Sequence, residues 1–157
     1  MQISVTVTNL DKVDERLSKL GASLHDFTGA METLGAKLIQ FYSNTVFVSG
    51  GTALGKRWKA LASSTVSEKE KMWPGRGILE RTGALSHGFY SDITPTSLYI
   101  SNKVPYFPYH QLGTSEGRGR GHNIPARPML GTGARVESMI KTVIEADVRD
   151  KINKANV

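Results

Sequence analysis

From Phe27 onward, apolar residues fall on a helical period that strongly limits how this chain can fold. Phe27, Met31, Leu34, Leu38, Phe41 and Thr45 lie on one face, with Ala30, Ile39 and Tyr42 widening it. Recurrence at three and four residues is the pattern one side of an α-helix presents to a core. Asp26 stands just before the stripe, where a short carboxylate can accept a first-turn N–H as an N-cap. The spacing therefore predicts a helix running to about Phe47, the spine of the fold. A stripe of Met and aromatic side chains at this spacing reads as core rather than as a cofactor box.

Other elements are arranged around that spine. Ile3, Val5 and Val7 alternate with Ser4, Thr6 and Thr8, the period of a half-buried strand. Val13, Leu17, Leu20 and Leu24 predict an earlier helix, with Gly21 its weak point. In "STVSEKEKM", Thr65 and Glu68 have capping-box spacing for a short polar helix. "ILERTG" predicts a helical turn stopped by Gly83. "GFYSDITPTSLYISN" predicts two strands joined at Pro95-Thr96, with Phe89, Ser91 and Ile93 on one face of the first and Leu98 and Ile100 on the second. A third extended segment is expected over 104–112, at a sheet edge because of Pro105 and Pro108. "IPARPML" must be extended, since each proline disfavours helix in the residue before it. Arg135 to Ile152 predicts a last amphipathic helix through Val136, Ile140, Val143, Ile144, Val148 and Ile152. The pattern is α+β: one domain over 1–157, a small antiparallel sheet packed on long amphipathic helices, with a long Gly/Pro-rich loop or arm. Flexible loops are expected at 49–78 and 113–124.

Charge narrows the classes of partner. Residues 51–82 hold seven basic side chains against three acidic ones, supplying four of the six excess positive charges. Lys56, Arg57 and Lys59 lead that segment, which raises the prior for an acidic partner, nucleic acid included. It lacks the alternation of aromatic and basic residues that a base-stacking surface shows. No apolar run approaches a membrane span, no signal-peptide pattern opens the chain, and the absence of cysteine excludes disulfides and thiolate metal sites.

Catalytic constellations are missing. The histidines, His25, His87, His110 and His122, show neither HExxH nor HxH spacing, and only Glu116 lies between the last two. No "GxSxG" and no cluster of acids suited to a metal nuclease occurs, and Lys56 is followed by Arg57 where a P-loop needs Ser or Thr. His110 reads as a hydrogen-bonded residue fixing a strand end. The expectation is a non-enzyme without cofactor or metal. The loop "GTSEGRGRGHN" leaves three readings open: Arg118 and Arg120 reaching phosphates, a plain hairpin tip, or an arm that orders against a neighbouring subunit.

A set of short motifs then acts together. Gly55, Trp58 and Leu61 are followed by Thr65 with Lys69 and Lys71, then by Leu79, Thr82, Gly83 and Leu85. Tyr106, His110, Gln111 and Gly113 come next, and Ile124, Pro125, Arg127, Pro128, Leu130 and Gly131 close the series. In this order the residues resemble the phage virion morphogenesis family, the tail completion proteins of tailed bacteriophages. Ala53-Leu54 replaces a Pro-Asp frequent in that family, and Phe107-Pro108 replaces a small residue after Tyr106. The resemblance implies a structural protein of the virion, made in the host cytoplasm and placed at the head–tail junction. It implies a ring, commonly of six subunits, between tail terminator and head connector. His110, Gln111 and the prolines would anchor the base of an arm, and Arg127 would make a charge-assisted bond to a carboxylate or to backbone carbonyls. The basic residues would face an acidic neighbouring ring or DNA in the channel. The alternative is a small basic nucleic-acid-binding protein using 56–81 and the Arg-Gly loop.

Overall fold

The computed structural model describes residues 10–114 and 123–155. The predicted strand at Ile3–Val7 and the tip carrying Arg118 and Arg120 lie outside the described residues. Among the described residues, seven α-helices and one hairpin appear in the order α1 (Leu10–Ser23), α2 (Thr28–Gln40), α3 (Val46–Val48), α4 (Ser63–Met72), α5 (Ala84–His87), β1 (Phe89–Thr94), β2 (Ser97–Asn102), α6 (Phe107–Leu112) and α7 (Ala134–Ala155). This is an α+β fold with a two-stranded antiparallel sheet.

The spine forms as its periodicity demands. Phe27 rather than Asp26 occupies the N-cap of α2; Asp26, one residue earlier, accepts from the Thr28 N–H at 2.9 Å and from its hydroxyl at 2.6 Å. A π-helical turn at Phe41–Thr45 then joins α2 to α3. Its wider winding shifts the apolar phase by about one residue, so Val46 and Phe47 enter the core and Thr45 is only half-buried. Leu34, Leu38, Phe41, Tyr42 and Val46 form the buried ridge, and Val46 is fully enclosed.

The hairpin has the expected strands. Phe89 pairs with Asn102 and Thr94 with Ser97, which leaves Phe89, Ser91 and Ile93 facing inward. A two-stranded ribbon is marginal alone. Here α2 covers its inner face, with Gly35 lying against Ser91 and Leu98. On the other side α2 packs against α7, whose buried residues are Val136 and Val143. Ile140 and Ile152 of the predicted face are instead exposed, and Met139 packs in their place. Lys151 clamps the α7 end: its ammonium lies 3.8 Å from the Phe27 ring centre, 2.6 Å from the Asp26 carbonyl and 2.5 Å from Asp147 Oδ2. Helix α1 packs on α7 but leaves Val13 and Leu17 exposed.

Three local expectations are corrected. The 104–112 segment is not an edge strand; it forms α6, because Pro108 sits in the first turn where its missing N–H costs nothing. Helix α4 starts at Ser63, two residues before Thr65, and no side chain caps it, so the capping box is not used. "ILERTG" is a turn rather than a helix, and Gly83 at φ 80° precedes α5 instead of ending a helix. His110 accordingly lies on a helix, not at a strand end.

Segment 49–78, expected as a loop, carries α4 and a 3₁₀ turn at Thr52–Leu54. It is tied to the core through Trp58, whose ring meets Phe47 edge-on at 5.4 Å. Gly51 makes that contact feasible: its φ is 87°, and a Cβ there would lie 2.5 Å from Trp58 Cδ1. Gly51→Ala is therefore expected to cost about 2–3 kcal/mol. The corresponding drop in thermal midpoint, roughly 4–12 °C for a chain of this size, is measurable by calorimetry.

Candidate docking cleft and the segment that frames it

Residues 124–131 carry neither helix nor strand and are mostly half-buried, with Arg127 and Met129 turned into the core and Ala126 and Gly131 exposed. Met129 is fully buried and Arg127 is 6% exposed. A half-buried extended segment must find partners for its backbone groups, and lone N–H or C=O groups there are costly. Side chains supply them. Gln111 Oε1 accepts from the N–H groups of Met129 at 2.7 Å and Leu130 at 3.0 Å, while its Nε2 donates to the Leu130 carbonyl at 2.6 Å. One amide thus replaces a neighbouring strand. Trp58 Nε1 donates to the Pro128 carbonyl at 2.7 Å, and the Tyr42 hydroxyl to the Gly131 carbonyl at 2.8 Å. Burial pushes the Tyr42 phenol above its ordinary pKa, against the hydrogen bond to Gly131.

Arg127 faces inward. Its Nε donates to the Lys59 carbonyl at 2.9 Å and its Nη2 to the Ala60 carbonyl at 3.2 Å, while its own N–H donates to the His110 carbonyl. Its side chain therefore meets carbonyls of its own chain and staples the 124–131 segment to the basic stretch. Upstream, Thr114 N–H donates to the Ile124 carbonyl and Ile124 N–H to the Thr114 hydroxyl. Gly113, at φ 76°, permits this closure, since a Cβ would stand 2.8 Å from Ala126 N and Ile124 O. Pro125 is half-buried beside it.

On the opposite side of His110 lies a cleft of about 450 Å³. Leu61, Leu79, Ala84, Leu85 and Tyr106 give it apolar walls; Thr65, Lys69, Arg81, Thr82 and His110 supply its polar groups. All but Arg81 and Ala84 belong to the motif series read from the sequence. Motif positions spread over fifty residues thus converge on one concavity. Leu79 holds φ at 62°, a conformation uncommon for a leucine. Lys69 donates to the Gly77 carbonyl. Burial draws its pKa down, Glu80 opposes that, and Arg81 adds to it. Arg81 itself pairs with Glu68 at 2.5 Å and lies 4.1 Å from the Trp73 ring centre.

The remaining sequence candidates are spread out. Lys56, Arg57 and Lys59 are exposed, away from the cleft lining. Gly83 lies under α5, where its carbonyl contacts His87 Nδ1 at 2.8 Å. Sequence reading missed Asn102, which is buried and donates to the Leu85 carbonyl at 2.7 Å while accepting from Val104 N–H. A polar residue ending a strand gives no periodic signal. No cluster of metal-ligating side chains occurs among the described residues, and none of the described helices is long and apolar enough to cross a membrane.

The family model described as "Phage virion morphogenesis family" matches residues 8–149. The chain belongs to that family. No curated protein and no solved structure matches it. The family places the protein in the building of phage particles, and the motifs of its series divide between the hydrogen-bonded frame and the cleft.

Two outcomes follow from the frame. Gln111→Ala strands three backbone groups and is expected to cost about 3 kcal/mol, read as a lower urea midpoint at unchanged m-value. Leu112→Ala, at a residue 77% exposed, should change stability by less than about 0.5 kcal/mol. The second outcome concerns pH. Burial first, and the Arg127 charge second, hold His110 below its ordinary 6.5, and its Nδ1 is buried without a partner. The unfolded chain then binds the proton more readily than the native one. Stability is full above pH 6.5 and falls as pH drops below it. His110→Gln should flatten that part of the stability–pH curve relative to the native chain.

Proposed function

We propose that the protein is a tail completion subunit that assembles as a hexameric ring at the head–tail junction and joins finished heads to finished tails. The observation that carries this reading is the family match over residues 8–149. Its partners on this reading are the tail terminator on one side and the head connector on the other. The chemistry of the surface is consistent with such a task. Lys56, Arg57 and Lys59 stand exposed within four residues, and none forms an ion pair among the described residues. Such a cationic edge suits an acidic protein neighbour or the DNA that threads the channel.

The same three cations are the specific support for the second reading, a nucleic-acid-binding protein. The two readings separate by salt dependence. Three phosphate contacts on duplex DNA would give a log–log slope near about −2.7, and binding would be evident at about 50 mM salt. Electron microscopy of lysates lacking this gene tests the first reading. The expected result is filled heads and finished tails lying unjoined, with purified protein restoring particles. Intact particles, or a block in DNA packaging, would overturn the joining role. A triple Lys56→Glu, Arg57→Glu, Lys59→Glu variant should fold normally, because all three side chains are exposed, yet lose most of the rescue.

A further inference from the structure

We propose that the cleft between α4, the 78–85 turn and α6 receives an extended segment of another virion protein, in which an aliphatic or aromatic side chain sits beside carboxylates. This rests on the assembly role proposed above and gives it a specific contact. The cleft has the volume and mixed lining of a recognition site, about 450 Å³ with apolar walls and a few convergent polar groups. Leu61, Leu79, Leu85 and Tyr106 would take the apolar side chain. The Thr65 hydroxyl is available to an extended backbone, and the Thr82 hydroxyl, which accepts from the Ala84 N–H at 3.4 Å, can still donate.

Charge decides the occupant. The lining contains Lys69 and Arg81 and no carboxylate. Arg81 is engaged with Glu68, so Lys69 is the more available cation. One of its three N–H donors goes to the Gly77 carbonyl, which leaves donors for an arriving carboxylate. Partial burial disfavours the free ammonium; Glu80 offsets part of that cost without forming an ion pair among the described residues, and an arriving carboxylate would offset more. A second copy is a poor source of an extended acidic segment, because its run of Asp11, Asp14 and Glu15 lies in helix α1. Leu79 supports a recognition role independently. Its left-handed backbone sets a leucine side chain on the cleft wall in a conformation that packing must sustain. Tyr106 is 44% exposed at the rim, and Tyr109 and Leu112 continue an exposed apolar surface along α6.

The test is a titration of the ¹⁵N-labelled full chain with two blocked peptides, Ac-Glu-Asp-Leu-Phe-Glu-NH₂ and Ac-Lys-Lys-Leu-Phe-Lys-NH₂. The acidic peptide should shift the amides of Leu61, Lys69, Leu79 and Tyr106 and bind at least about tenfold more tightly than the basic one. Lys69→Glu should reverse that preference, and Lys69→Gln should abolish it, each with an otherwise native spectrum. A merely structural lysine would not reverse peptide choice. Equal binding of the two peptides would overturn the proposal. So would the absence of shifts at millimolar peptide, or shifts centred on Lys56 to Lys59. A short DNA duplex that shifts the cleft amides would overturn it in favour of a phosphate site. A failed titration alongside intact head–tail rescue would remove the occupant and leave the joining role standing. Intact binding with failed rescue would do the reverse.

Discussion

The fold depends on how a half-buried backbone with no ladder of its own is satisfied. Residues 124–131 contain two prolines, so the segment can neither enter a helix nor present a full ladder to a strand. Yet Met129 at its centre is wholly enclosed. Its polar groups are therefore met from four directions, by Gln111, Trp58, Tyr42 and the His110 carbonyl. These residues come from α6, the basic stretch and the spine. A single irregular segment thus ties together elements that otherwise pack mainly through apolar contact. Because its bonds are partly withdrawn from water, each missing partner leaves a polar group poorly satisfied.

That frame also shapes the surface. Arg127 holds the carbonyls of Lys59 and Ala60 in a stretch whose Lys56, Arg57 and Lys59 side chains are exposed. His110 belongs to both sides, its carbonyl bonded to Arg127 N–H and its ring lining the cleft. The imidazole is held neutral by burial and by the adjacent guanidinium, so it adds no cation to the cleft at neutral pH. With Arg81 paired to Glu68, Lys69 is the cleft cation without an ion pair among the described residues.

Periodic features were legible in the sequence because period reports burial directly. The α2 stripe, the β1–β2 hairpin and α7 all follow from apolar spacing. Errors arose where local chemistry admits two answers. Pro108 is compatible with an edge strand or a helix's first turn, and only tertiary packing of Phe107 against Phe89 selects the helix. Thr65 and Glu68 had the right spacing for a cap, but the helix gains a turn by starting at Ser63. The phase shift at the π-helical turn carries no sequence mark at all. In the site, the motif residues were visible as a series, whereas their division into a buried frame and an open cleft was not. Spacing along a chain does not say which residues meet across it.

That division has a physical logic. The proposed assembly role calls for a surface whose shape does not relax before its partner arrives, since ordering flexible groups on binding subtracts from affinity. Leu79 and Tyr106 can remain in place only if the backbone behind them is rigid. Rigidity at His110 comes from Arg127 and Gln111 behind it, and at Leu85 from the Asn102 amide that holds its carbonyl. The polar interior and the cleft are therefore parts of one device: buried hydrogen bonds fix a loop-rich wall that apolar packing alone would leave free to shift. A loop-built recognition surface in a chain without disulfides has few other ways to stay in one conformation.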